Sequence, residues 1–182
     1  LFELYRRYGL EFPRGTRRRD TIPTPIVCAC EKGRMNDVEL FINLHRFHKY
    51  IEMNGVKEGN MTLKEYVSQV GKNSDGWVGW TPLMAAAKSE HFQIVKYLIE
   101  QGEADPNIAN SYGQNALHLA ALNNEKDTKV IELLLSNMSL TSINKKGYGV
   151  TPLDCAYDND SPLQQEIIGL IRSKGGKQGG NE

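Results

Sequence analysis

Cysteine is scarce in this chain. Cys28, Cys30 and Cys155 are the only three among 182 residues. An odd, low count without a regular spacing excludes a disulfide-stapled scaffold and points to a reducing compartment. An excess of one charge is lacking too, because 22 lysines and arginines balance 22 aspartates and glutamates. The molecule has no net field to draw it onto nucleic acid or anionic lipid, so an electrostatic partner must meet a local patch. No apolar run approaches the ~18 to 20 residues of a membrane helix. The opening LFELYRRYGLEF has no unbroken apolar stretch or small-residue cleavage site and does not read as a secretory signal. The expected location is intracellular, cytoplasmic or nuclear, with an organelle interior as the alternative if the N-terminus is processed.

Catalytic signatures are equally sparse. The sequence contains no G-x-G-x-x-G, G-x-x-x-x-G-K-[ST], G-x-S-x-G or H-E-x-x-H. Acidic residues are spread without pairing. Cys28-x-Cys30 with His45 and His48 suggests a metal at first sight, but zinc-binding cysteine pairs are separated by two to four residues, not one. The cysteines read as small buried residues. An enzyme would need the segment around His45, His48 and Asp75 to build a site, and nothing else supports one. The expectation is a non-enzyme with no cofactor and no metal.

What the sequence does have is a repeat. Thr-Pro followed by an apolar residue occurs at Thr24-Pro25-Ile26, Thr81-Pro82-Leu83 and Thr151-Pro152-Leu153, and Asn115-Ala116-Leu117 holds the equivalent place in another copy. The last three starts are 34 and 36 residues apart, and the first two are 57 apart. These spacings fit a unit of about 33 residues with one large insertion. Each copy starts with a short helix rich in small residues, such as Ala85-Ala86-Ala87. Threonine can cap this helix, and proline in its first turn sacrifices no helical hydrogen bond. A polar link follows, then a helix with an apolar stripe such as Ile94, Tyr97 and Leu98, then a turn such as Gly102 to Asn107. One unit cannot cover its own apolar face, but a stack can.

GWTPLMAAAKSEHFQIVKYLIEQGEADPN and GQNALHLAALNNEKDTKVIELLLSN resemble ankyrin repeats, with their G-x-T-P-L-H-x-A-A opening, V-x-x-L-L helix and G-A-D turn. Residues 79–175 match closely and 20–44 loosely, roughly two-thirds of the chain. The motif histidine position holds Val27, Met84, His118 and Asp154, and the link glycine appears as Gly33 but is replaced by Glu90 and Asn124. The resemblance implies an all-α ankyrin-repeat solenoid of about four helix-turn-helix units with hairpin tips. The expected layout is a capping helix or partial repeat with an arginine-rich arm at 1–19 and a first repeat at 20–44. An insertion at 45–76 comes next, with a short amphipathic helix opened by a Thr62-to-Glu65 capping box. Repeats at 77–109 and 110–146, a capping repeat with a more polar outer surface at 147–174, and a disordered tail at 175–182 complete it. The insertion helix has two readings, padding on the array's flank or a contact of its own.

The resemblance also implies a concave protein-binding face made by hairpin tips and first helices. By register, the tips carry Trp77, Val78 and Trp80, then Ser111, Tyr112 and Gln114, then Gly147, Tyr148 and Val150. The helix ends add Lys88 and Ser89, Leu122 and Asn123, and Asp158 and Asn159. Tryptophan and tyrosine offer large rigid area with a polar handle, so they lead this set. Trp80, directly before Thr81, is the one most suited to the core. The arginine cluster Arg14, Arg17, Arg18 and Arg19 reads as a solvated loop, with a phosphate or nucleic-acid contact as the alternative. The expected function is a protein-binding scaffold or adaptor, a monomer or a subunit of a hetero-complex, without membrane insertion. A permanent structural subunit of a large protein or ribonucleoprotein assembly is the alternative.

Overall fold

The computed structural model describes residues 25–53, 62–68, 71–72 and 78–180, with backbone alone for 46–53, 65, 71, 72 and 78. The expected N-terminal cap, the arginine cluster, Thr24, Asp75 and Trp77 lie outside the described residues. The fold is a row of helical hairpins. Its elements are α1 (Pro25–Glu31), α2 (Met35–Met53), α3 (Leu63–Val67), β1 (Gly71–Lys72), β2 (Val78–Trp80), α4 (Pro82–Lys88) and α5 (Phe92–Glu100). They continue with α6 (Ala116–Asn123), α7 (Lys129–Asn137), α8 (Leu140–Ile143), α9 (Pro152–Tyr157) and α10 (Gln164–Ser173).

The first helix of each unit packs on the first helix of the next, in the order α1, α4, α6, α9. Small side chains permit the close approach: Ala29, Cys30, Ala85, Ala86, Ala87, Ala120, Ala121 and Ala156 are all buried. The second helices α2, α5, α7 and α10 form an outer row that seals the core with Ile42, Val95, Leu98, Ile131, Leu134, Ile167 and Ile171.

The repeated motif performs the capping its chemistry suggests. The Thr81 hydroxyl oxygen accepts from the Met84 N–H at 3.1 Å. Thr151 and Asp154 form a reciprocal capping box, and Asn115 with His118 forms another. Asparagine therefore replaces threonine as a cap in the copy that lacks Thr-Pro. At the links, Arg34 donates its N–H to the Ala29 carbonyl and His91 donates to Ala86, each at 3.0 Å. Gly33 and Glu90 take the same left-handed turn, at φ 68° and 57°. Glutamate is strained there, and its carboxylate accepts the N–H groups of Glu125 at 3.1 Å and Lys126 at 2.8 Å in the next link.

In the insertion, α2 runs on to Met53, and α3 buries Leu63 and Val67 against its flank. The Tyr66 ring stacks on His45 with centroids 4.6 Å apart, and Lys64 pairs with Asp105 at 3.2 Å. This packing places the insertion helix on the array's flank. β1 and β2 then pair antiparallel, returning the chain to the array.

The tail departs from expectation. Composition predicts disorder after Gly175, yet residues 175–180 lie hydrogen-bonded along Asn144, Thr151 and Asp154. A glycine-rich segment has little side chain to bury, but its backbone groups can pair with polar side chains of the unit before it.

Candidate partner-binding face

The hairpin tips project from the starts of the inner helices. Single antiparallel bridges, Ala109 with Asn115 and Gly147 with Val150, close two of them. Within the first, the Asn110 side-chain oxygen accepts the N–H groups of Tyr112 at 3.0 Å and Gln114 at 2.9 Å, which holds the loop open without a second strand. In the second, Tyr148 and Gly149 both adopt positive φ, 54° and 85°. Consecutive left-handed residues are the signature of a tight primed turn, which usually takes asparagine and glycine. A tyrosine in that place costs about 1–3 kcal/mol of backbone strain, and such strain concentrates at functional positions.

The two tips are coupled. The Tyr148 N–H donates to the Tyr112 carbonyl at 3.0 Å. Their rings stack with centroids 4.7 Å apart and planes 15° apart. Both remain exposed, Tyr112 by 43% and Tyr148 by 58%. The outcome is a two-ring aromatic platform on the rim of the face.

The other predicted site residues fall in three groups. Ser111, Leu122 and Val150 are exposed, and Lys88, Gln114 and Asn123 are partly exposed. Trp77 lies outside the described residues, as does the side chain of Val78. Trp80 and Asn159 are corrections. Trp80 keeps only 7% exposure and belongs to the core, with the Lys88 ammonium 5.3 Å from its ring centroid. The residue before the cap Thr81 points inward because β2 carries it onto the array. Asn159, expected at an exposed helix end beside Asp158, is buried. Its Nδ2 donates to the carbonyls of Ala121 at 2.8 Å and Asn124 at 3.2 Å, and its Oδ1 accepts from the Ser161 N–H at 2.7 Å.

Elsewhere the chemistry is structural. The His118 ring accepts the Asn115 N–H at Nδ1, 3.1 Å, and its Nε2 faces the Val150 carbonyl at 3.2 Å. Burial holds this histidine below its ordinary pKa, against the pull of hydrogen bonds to the Val150 and Lys145 carbonyls. All three cysteines are free and buried. Burial pushes the Cys28 and Cys155 thiols up to about 11 and Cys30 higher still, so they are poor nucleophiles and poor ligands at neutral pH. Among the described residues no group of three or more His, Cys, Asp or Glu side chains is gathered to hold a metal.

A family model for ankyrin repeats matches in three overlapping copies, at residues 14–110, 53–146 and 103–178. This chain belongs to the ankyrin-repeat family. Ankyrin repeats are generally protein-interaction modules rather than enzymes. The array is 31% identical over 113 residues to a rat ankyrin repeat and SAM domain-containing protein 6, covering 62% of this chain. It is 30% identical over 151 residues to a Dictyostelium discoideum NAD-dependent deacetylase sir2B, covering 75% of this chain. It is also 30% identical over 113 residues to the ankyrin repeat protein nuc-2 of Neurospora crassa, covering 56% of this chain. The matched region spans 10%, 18% and 10% of those three relatives, so the likeness concerns the ankyrin array alone. No helix among the described residues is long and apolar enough to cross a membrane.

Proposed function

We propose that this ankyrin array binds a partner protein through its hairpin tips and inner-helix ends, acting as a scaffold or adaptor. The observation that carries this reading is the stacked, exposed pair Tyr112 and Tyr148 on adjacent tips. Two coupled aromatic rings give a partner large, rigid area at low cost in side-chain entropy. Ser111, Gln114, Lys88, Leu122 and Asn123 extend the face along the inner helices, and Trp77 and Val78 extend it by register. Trp80 serves this face from beneath, as its support.

The test is affinity capture with the chain as bait, alongside a Tyr112→Ala/Tyr148→Ala double variant checked for unchanged helical content. A captured protein is then titrated in purified form against both. Binding weakened at least about tenfold in the variant supports the tip-centred face. Equal binding by both sinks it. Recovery of a whole complex, indifferent to the variant, would favour the permanent structural subunit instead.

A further inference from the structure

The inner helices carry a row of equivalent positions. Lys88, Leu122 and Asp158 each stand seven residues after the cap of their helix, which is Thr81, Asn115 or Thr151. Because α4 packs on α6 and α6 on α9, the row runs along the array as cation, apolar group, anion. Glu31 holds the same place in the first unit and is followed by the exposed Lys32, so the contrast of sign is carried by the three later units.

The fold neutralises neither end of this row. Lys88 forms no ion pair among the described residues, and its ammonium is placed 5.3 Å from the Trp80 ring centroid. At the other end, Glu125, Asp158 and Asp160 line a pocket of about 470 Å³ with Leu122 and Pro162, between the third and fourth links. None of these three carboxylates meets a cation or accepts a hydrogen bond among the described residues. Lys126 is exposed but does not line the pocket. Elsewhere Glu100, Asp105 and Asp127 each find a lysine, at 4.0, 3.2 and 2.9 Å. Asn124, whose carbonyl takes the Asn159 amide, is buried, and its Oδ1 has no hydrogen-bond partner among the described residues. This end is rich in acceptors and poor in donors. Asp158 is also the C-cap of α9, where the helix carbonyls already gather negative charge and a carboxylate costs stability.

Packed helices lie about 8–10 Å apart, and an extended chain advances about 3.3 Å per residue, so one unit of the array matches about three residues of an extended partner. We infer, on the basis of the partner-binding face proposed above, that the partner presents an extended segment whose carboxylate, apolar side chain and guanidinium or ammonium group seat over Lys88, Leu122 and Asp158 in that order. The basic group enters the acidic pocket, and the apolar one covers Leu122, which is 43% exposed. The Tyr112 and Tyr148 rings flank the segment from the tips. A segment laid the opposite way meets like charge at both ends, which fixes its direction along the array.

The experiment selects random peptides displayed on phage against the immobilised full chain, and then titrates the enriched peptides in solution. The parent should enrich peptides with an acidic and a basic residue on opposite sides of an apolar one. Lys88→Glu should instead enrich peptides basic on both sides. Asp158→Asn/Asp160→Asn should lose the basic preference and bind the parent's peptides at least about tenfold more weakly, with helical content unchanged. A parent that enriches no such peptides, or the same charge pattern in either variant, would overturn the inference. The Tyr112→Ala/Tyr148→Ala variant separates the two readings. Charge-patterned peptides that bind it as well as they bind the parent would sink the tip-centred face alone. Peptides lost with that variant but indifferent to the charge variants would sink the charged row alone.

Discussion

The Asn159 side chain donates to the Ala121 carbonyl at 2.8 Å, joining the end of one inner helix to the end of the preceding one, 38 residues away. A second bond to the Asn124 carbonyl and an accepted N–H from Ser161 complete its pairing. Replacement by alanine would strand two buried carbonyls and one amide. Asn159→Ala is expected to lower stability by about 1–3 kcal/mol, the cost of leaving such groups unpaired. Urea unfolding would read this as a lower midpoint at unchanged slope. An unchanged midpoint would mean that water replaces the side chain freely.

His118 makes stability depend on pH. Its folded pKa lies below the ordinary 6.5, so the unfolded chain takes up a proton first as pH falls. Its contribution is fully present above pH 6.5 and is lost as pH drops through 6.5 toward the folded value, by at most about 1.4 kcal/mol per pH unit. Protonation at Nδ1 would also end its acceptance of the Asn115 N–H. Denaturation of the parent and a His118→Gln variant between pH 7.5 and pH 5 should show the parent losing more stability on the acid side. Parallel curves would rule out the linkage.

Gly33 and His91 meet across the first two links. A Cβ on Gly33 would sit 2.7 Å from the His91 ring, and φ there is 68°. The ring is itself tied through Nε2 to the Glu31 carbonyl at 3.1 Å. Gly33→Ala combines left-handed strain with a clash, and a loss of about 1–3 kcal/mol is expected. Gly149→Ala keeps the positive φ but meets nothing within 4 Å, so it isolates the strain. Thermal unfolding of both should place Gly33→Ala clearly lower.

The periodic part of this structure was legible from residues alone. Thr81, Thr151 and the Ala85-to-Ala87 run announce capped, closely packed inner helices, because capping and small-residue packing are local chemistry. The stripe of Ile94, Tyr97 and Leu98 does the same for the outer row. Trp80 was legible in part, since its place directly before Thr81 suited it to the core, where it keeps 7% exposure. Two features were not legible. Asn159 has the register of an exposed helix end, but its partners are backbone carbonyls in another unit, which no side-chain pattern reveals. The tail's glycines signal disorder by composition, while the atoms that hold it belong to Asn144, Thr151 and Asp154. For Asn159 and for the tail alike, the deciding partner lies more than twenty residues away, and one side of each contact is main chain.

The row α1, α4, α6, α9 has each inner helix touching its immediate neighbours. Such a molecule has no single centre of gravity for its cohesion. Strength accumulates link by link, and a fault introduced in one hairpin is felt chiefly by the hairpins on either side.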